Sequence, residues 1–181
     1  MTATTDGLDL ESANRMDRDA FTGALGSTFE HAPWVAEGAW ASGPFASVDA
    51  LHAAMMDVVH RASRNAQVEF LCGHPELAGK EAEQGTMTSE SVGEQSSAGL
   101  DALTAGEVAE LRALNARYRE RHGFPFIIAV RRHGKQEILS RLRERTAAGT
   151  EAELREALRQ IGIITRLRLD ARLGSSQPAL G

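Results

Sequence analysis

Residues 104–125 read TAGEVAELRALNARYRERHGFP, and this stretch contains every signal of one complete helix. Thr104 and Glu107 form the pattern of a capping box, in which each side chain hydrogen-bonds the backbone of the other at a helix start. Gly123 and Pro125 are typical of a helix end. Between them lies a stripe of residues spaced for one helix face: Val108, Leu111, Leu114, Asn115 and Tyr118. The stretch therefore predicts one long helix with its apolar face in a core.

The same helical period continues toward the amino terminus. Phe21, Leu25 and Phe29 repeat every four residues, and Pro33 suits the first turn of a following helix. A further apolar stripe consists of Val48, Leu51, Met55, Val58 and Ala62. These patterns predict three helices before residue 63.

Toward the carboxyl terminus, Thr150 and Glu153 repeat the capping-box pattern and predict the start of a last long helix. Its stripe is Leu154, Leu158, Ile161, Thr165 and Arg168. Two segments lack the period: the glycine-rich residues 71–99 and the short apolar residues 123–130, whose secondary structure stays undecided. Because every well-patterned segment is helical, we predict an all-α fold in a single compact helical domain.

Length and composition fit one soluble domain. The chain has 181 residues, of which 42% are hydrophobic and 25% are charged. We predict a domain at residues 14–173, between flexible tails at residues 1–13 and 174–181 that are rich in small and polar residues. A single cysteine, Cys72, excludes an intrachain disulfide and fits a reducing compartment, where we expect it to be buried and inert.

Charge and hydropathy limit the possible partners. The opening residues lack the apolar stretch of a secretory signal, and no apolar run is long enough to cross a bilayer, so we predict a cytoplasmic protein without a membrane partner. Residues 1–106 carry a net charge of −11, and residues 107–181 a net charge of +6. The arginines of the second half alternate with glutamates along helical patterns. We therefore favour solvated helix faces and attraction between the halves, and expect no nucleic-acid partner.

Three features could supply chemistry. His74 directly precedes Pro75, which favours a loop, and a histidine transfers protons near neutral pH. The alternative is a surface or capping histidine. Ser91, Glu94 and Gln95 share one face of a helical turn and could present a hydroxyl, a carboxylate and an amide to one ligand. A capping box or a solvated polar face would give the same spacing.

Arg168 is the third feature, because it shares the apolar stripe of the last helix. A guanidinium on a core-facing stripe is costly unless it pairs with a carboxylate or an anionic ligand, and its planar fork suits carboxylates. The alternatives are a structural ion pair with an acidic residue of the other half, or a helix that rotates before this point.

No metal motif is present. His52 and His60 are eight residues apart, too far for chelation from adjacent turns, and neither HExxH nor paired CxxC occurs. Two other classes stay open beside a metal-free enzyme. One is a metal-dependent helical hydrolase that would use His74, Glu94 and His60. The other is a non-catalytic helical ligand-binding module.

Motifs in a fixed order cover about residues 14–170. The most specific are HPELAG at residues 74–79 and SVGEQSSAGL at residues 91–100. Others follow in order: Asn14-x-Met16, Trp40-x-x-x-Pro44-Phe45, Leu114-Asn115-x-x-Tyr118, Gly123-Phe124-Pro125-Phe126 and Leu167-Arg168-Leu169. The chain thereby resembles the 2-oxo-4-hydroxy-4-carboxy-5-ureidoimidazoline (OHCU) decarboxylases. It departs from their pattern at Glu76 and Gly43, which lie outside the proposed chemistry.

The resemblance implies an all-helical homodimer of the OHCU decarboxylase type. It implies a carboxy-lyase that converts OHCU, a small anionic substrate, to (S)-allantoin without cofactor or metal, in the final step of urate degradation. His74 would be the acid/base residue, and Glu94 would support catalysis. Substrate-binding positions carried over from the family are Pro75, Ser91, Val92, Gly93, Glu94, Gln95, Phe126, Ile127, Ile128, Ala129, Val130 and Arg168. The backbone of residues 126–130 would hold the ring, and Arg168 the carboxylate or urea oxygen.

Overall fold

The chain is all-helical. The computed structural model describes residues 8–79, 82 and 84–174, and these residues form no strand. The α-helices in this part of the chain are α1 (Leu10–Asn14), α2 (Arg18–Leu25), α3 (Pro33–Ala39), α4 (Val48–Arg61), α5 (Arg64–Cys72), α6 (Ser89–Ser97), α7 (Ala105–His122), α8 (Lys135–Thr146) and α9 (Thr150–Leu173). Short 3-10 helices are Gly26–Thr28, Trp40–Ser42 and Val130–Arg132. The predicted fold class is confirmed.

The helices divide into two compact units. The first comprises residues 1–63 and 164–181, and the second comprises residues 64–163. The prediction of one domain at residues 14–173 stays a prediction. Of the two predicted tails, residues 1–7 and 175–181 lie outside the described residues, and α1 begins within the first tail, with Ala13 buried.

The first unit is built on the packing of α3 against α2 and α4. Pro33 opens α3, as its position in the sequence predicts. The side chains that fill this core are almost completely buried and include Phe21, Leu25, Val35, Leu51 and Met55. The Asn14 side chain donates to the Phe45 carbonyl at 2.8 Å and accepts from the Phe45 amide at 2.7 Å. This pair of bonds fixes the chain that leads into α4.

In the second unit, α7 has the ends that its sequence predicts. The Thr104 hydroxyl accepts from the Glu107 amide at 3.2 Å, and the Glu107 carboxylate accepts from the Thr104 amide at 2.9 Å. Gly123 ends the helix in the left-handed conformation, with φ of 83°, which a residue without Cβ adopts readily. The capping-box prediction at residue 104 is confirmed.

The second predicted capping box, at Thr150, is wrong. Thr150 is already the first residue of α9, and the Glu153 amide donates to the Gly149 carbonyl at 3.0 Å. The Glu153 carboxylate instead accepts from the Tyr118 hydroxyl at 2.7 Å and from Arg145 Nε at 2.9 Å. A buried carboxylate gains more from a hydroxyl and a guanidinium than from one exposed backbone amide.

This buried network also fixes residues 123–130. Arg145 Nη1 donates to the Ile127 carbonyl at 2.8 Å, and the guanidinium carbon lies 4.6 Å from the centre of the Phe126 ring. Burial, followed by the hydrogen bond to Glu153, raises the pKa of Tyr118 far above its usual range, so the phenol keeps its proton at any physiological pH. The segment that periodicity left undecided is non-helical up to residue 129, and it is buried from residue 124 onward.

The structure bears on two expectations from the sequence, one about crossing a membrane and one about the burial of Cys72. None of the helices in the described part of the chain is both long and apolar enough to cross a membrane. Cys72 is exposed rather than buried, so the expectation of a buried cysteine is wrong. It is the last residue of α5, and its thiol donates to the Gly123 carbonyl at 3.5 Å.

Candidate active site

His74 lies in a loop two residues after the end of α5. The residue is 8% exposed, and its ring Nδ1 is 3.2 Å from the Phe70 carbonyl oxygen. The ring also makes an edge-on contact with the Phe70 ring, with centroids 5.1 Å apart. In the neutral imidazole, donation from Nδ1–H to this carbonyl makes Nε2 the basic nitrogen. The contacts therefore fix both the plane and the tautomer of the ring.

The polar turn that follows in sequence is helical. The Thr88 hydroxyl caps α6 by accepting from the Ser91 amide at 3.3 Å, so Ser91 lies inside the helix and is not its capping residue. Ser91 and Gln95 are buried, Glu94 is half-buried, and Val92 is 48% exposed. The predicted common helix face is present, and the capping-box alternative at Ser91 is excluded.

Gln95 connects α6 to the loop that carries His74. Its Oε1 accepts from the Ala78 amide at 2.9 Å, and its Nε2 donates to the Glu76 carbonyl at 3.4 Å. We call residues 74–79 the histidine loop. The oxygen and the nitrogen of the Gln95 side-chain amide thus both hydrogen-bond the backbone of the histidine loop. The spacing of residues along the sequence did not predict these bonds.

Helix α7 holds the same loop from another direction. Asn115 Nδ2 donates to the Leu77 carbonyl at 3.1 Å, and Arg119 Nη1 donates to the Glu76 carboxylate at 2.9 Å. Sequence reasoning placed Asn115 on the apolar stripe of this helix without giving it a role. An amide among core-facing residues is the signal that could have identified it.

The apolar segment at residues 126–130 belongs to the same unit, and α6 packs against the 3-10 helix that begins at Val130. Every side chain from Phe126 to Val130 is at most 5% exposed. The Ala129 amide donates to Gln160 Oε1 at 2.9 Å. Gln160 and Arg145 therefore hold this backbone from two helices. The second unit brings together His74, α6 and this segment.

Arg168 belongs to the first unit. It is 6% exposed, and its Nη1 donates to the Glu30 carboxylate at 3.1 Å and to the Thr28 carbonyl at 3.3 Å. Glu30 lies in the acidic half of the sequence, as the alternative of a structural ion pair requires. Burial on the core face is as predicted. A role in substrate binding stays a prediction.

A metal centre has no candidate ligands in this part of the chain. Residues 8–79, 82 and 84–174 contain no group of three histidine, cysteine, aspartate or glutamate side chains placed to share an ion. The hydrolase alternative with His74, Glu94 and His60 therefore gains no support.

Comparison with known proteins assigns the family. The sequence profile described as OHCU decarboxylase matches residues 14–170. This chain belongs to the OHCU decarboxylase family. The OHCU decarboxylase of Haloferax volcanii is 42% identical to it over 93% of this chain and 98% of the relative. That of Mus musculus is 37% identical over 93% and 94%. A crystal structure of (S)-allantoin synthase matches with a TM-score of 0.73 and 28% identity, over 92% of this chain and 54% of the other.

Family membership confirms the resemblance that the sequence motifs indicated. It also confirms the fold and the enzyme class that the resemblance implied: this member of the OHCU decarboxylase family is a carboxy-lyase. The predicted site residues were selected from the sequence motifs. Similarity between whole chains does not assign a role to any single residue.

Proposed function

We propose that this chain decarboxylates OHCU to (S)-allantoin without a cofactor, in the final step of urate degradation, with His74 as its acid/base residue. The observation that supports this proposal is the fixed position of the His74 ring. Its tautomer is fixed by the Phe70 carbonyl, in a loop held from two helices, within a chain that matches the OHCU decarboxylase family over residues 14–170.

The substrate itself supplies the electron sink for this reaction. When the carbon–carboxylate bond breaks, carbon dioxide leaves and the electron pair forms a double bond to the neighbouring imine carbon, whose former π pair passes to nitrogen. That nitrogen takes up a proton. The resulting enol becomes a carbonyl when its hydroxyl loses a proton and the former imine carbon gains one. The protein must supply position, charge stabilisation and one proton delivered to a single face.

Each proposed site residue has a task in this scheme. His74 moves the proton between the hydroxyl and the ring carbon, and Glu94 supports that transfer. Arg168 binds the anionic end of the substrate, because its fork suits a carboxylate. The remaining lining positions are Pro75, Ser91, Val92, Gly93, Gln95, Phe126, Ile127, Ile128, Ala129 and Val130.

The carboxyl end of α5 supports the role of His74. The Phe70 carbonyl belongs to the last turn of that helix, the end that carries partial negative charge, and it also accepts from the Gly73 amide at 3.2 Å. A positive charge that develops on the ring when it takes up a proton is stabilised there. No comparable support exists for a metal-dependent hydrolase or a non-catalytic binding module among the described residues.

We also propose that the protein is a cytoplasmic homodimer, as the resemblance implies. Large hydrophobic side chains that are exposed in the single chain offer candidate contacts for a second copy: Trp34, Trp40 and Val92. Burying such side chains is a common contribution to subunit association.

The function is tested by generating OHCU in solution from urate. With the purified chain present, we expect (S)-allantoin to form faster than the spontaneous decay that yields both enantiomers. Circular dichroism of the product distinguishes the two outcomes. Racemic product at the uncatalysed rate, from protein shown to be folded, would refute the proposed function.

The role of Arg168 is tested by Arg168→Lys. We expect KM to rise about tenfold, because lysine keeps the charge and loses the planar fork. Arg166→Lys is the matched control, since Arg166 lies two residues earlier on α9 and pairs with Asp170 at 3.0 Å. Its KM and kcat should stay at the wild-type values. Unchanged KM and kcat in Arg168→Lys would remove Arg168 from the site.

A further inference from the structure

We propose that Asn115 is a positioning residue for catalysis, which holds the Leu77 carbonyl and through it sets the position of the His74 ring. The inference rests on the proposed function, because that function gives His74 its task. It assigns to α7, a helix outside the predicted set of site residues, control over the geometry of the histidine loop.

The bond from Asn115 reaches the loop close to the catalytic residue. Asn115 is 4% exposed, and its Nδ2 donates to the carbonyl three residues after His74 at 3.1 Å. Gln95 binds the next backbone amide, that of Ala78, at 2.9 Å. Two buried amides on different helices therefore hold the carbonyl and the N–H of a single peptide group, the one that joins Leu77 to Ala78. Pro75 restricts the backbone between this peptide group and the histidine.

The histidine loop contains an energetically unfavourable backbone conformation. Ala78 has φ of 46°, the left-handed region in which a Cβ is unfavourable. Such strain persists where surrounding contacts force it, and it is common at functional sites. Asn115 and Gln95 both bind the peptide group that directly precedes the Ala78 Cα. We infer that these two amides impose the loop conformation.

A second observation indicates that Asn115 is not explained by packing alone. Its Oδ1 is buried without a hydrogen-bond partner among the residues that the structure describes. A buried acceptor without a partner lowers stability, so a residue whose only purpose was packing would be apolar. What the asparagine provides is its donor to the Leu77 carbonyl.

The experiment compares Asn115→Leu with Asn14→Leu in the full chain, with OHCU generated from urate. Asn14 belongs to the first unit, and its side-chain amide likewise holds backbone by donating to the Phe45 carbonyl at 2.8 Å. Both variants should lower the melting temperature by about 2–4 °C. Asn115→Leu should also lower kcat by about tenfold or more, with KM within about twofold, because a displaced reacting group affects the chemical step. Asn14→Leu should keep the wild-type kcat.

A double variant tests whether the two amides act on the same loop. Adding Gln95→Met to Asn115→Leu should lower kcat by less than the product of the single effects, since either substitution alone already releases the loop. Asn115→Asp, which keeps the size and loses the donor, should show the same loss of kcat if Asn115→Leu does not fold.

Equal kcat values for Asn115→Leu and Asn14→Leu would overturn the inference, with Asn115→Asp taking the place of Asn115→Leu if the latter does not fold. Single effects that multiply in the double variant would overturn it as well. These outcomes presuppose that the wild-type chain produces (S)-allantoin. Failure of the wild-type chain to do so refutes the proposed function, and it is thus distinguishable from a wild-type enzyme that tolerates the loss of Asn115.

Discussion

His74→Ala is expected to lower kcat for (S)-allantoin formation by at least about 10²-fold, the usual contribution of a positioned acid/base group. The substitution removes the only atoms that the proposed scheme uses to move a proton. Helix content should be preserved, because the ring lies in a loop after α5 and not in a helix core. The measurement is steady-state turnover with OHCU generated from urate, alongside far-ultraviolet circular dichroism of the variant.

The control is His60→Ala, which removes an exposed histidine from α4. We expect its kcat to equal that of the wild type, so that loss of activity is specific to the histidine held by the Phe70 carbonyl. If folded His74→Ala turns over like the wild type, another group moves the proton and the assignment of His74 is wrong.

Much of the fold was predictable because its signals are local. These signals are the cap at Thr104, the helix start at Pro33 and the stripes of apolar residues. Each involves neighbours within about two turns, so helix geometry alone relates it to a structure. The prediction at Thr150 failed for the opposite reason. Its partner in the supposed box, Glu153, is occupied by Tyr118, 35 residues away, and tertiary contacts of that kind leave no trace in a spacing pattern.

The sequence pattern proposed residues for the site but could not give their contacts. Motif spacing selected His74 and Gln95, but it could not show that the Gln95 amide holds backbone 17 and 19 residues earlier. The cost of burying a guanidinium predicted that Arg168 needs an anionic partner. That rule does not identify which carboxylate, and Glu30 lies 138 residues away.

Glu30→Gln is expected to lower the free energy of unfolding by about 3 kcal/mol or more, the largest stability effect that we predict. The Glu30 and Arg168 side chains are 0% and 5% exposed, so neutralising Glu30 removes a buried negative charge that the Arg168 guanidinium pairs with. Urea denaturation of the variant measures the change. Glu37→Gln is the matched control, because the Arg18–Glu37 pair at 2.7 Å is about half exposed on both sides. Its effect should stay below about 1 kcal/mol.

The double variant Glu30→Leu with Arg168→Met separates the cost of an unpaired charge from the value of the pair. Replacing both partners by apolar side chains leaves no buried charge, so stability should return to within about 2 kcal/mol of the wild type. Its KM for OHCU should nevertheless stay raised, because no guanidinium is left to bind the anion. Stability that recovers together with a wild-type KM would make Arg168 a structural residue alone. A Glu30→Gln variant no less stable than Glu37→Gln would show instead that the guanidinium does not depend on Glu30 for its charge balance.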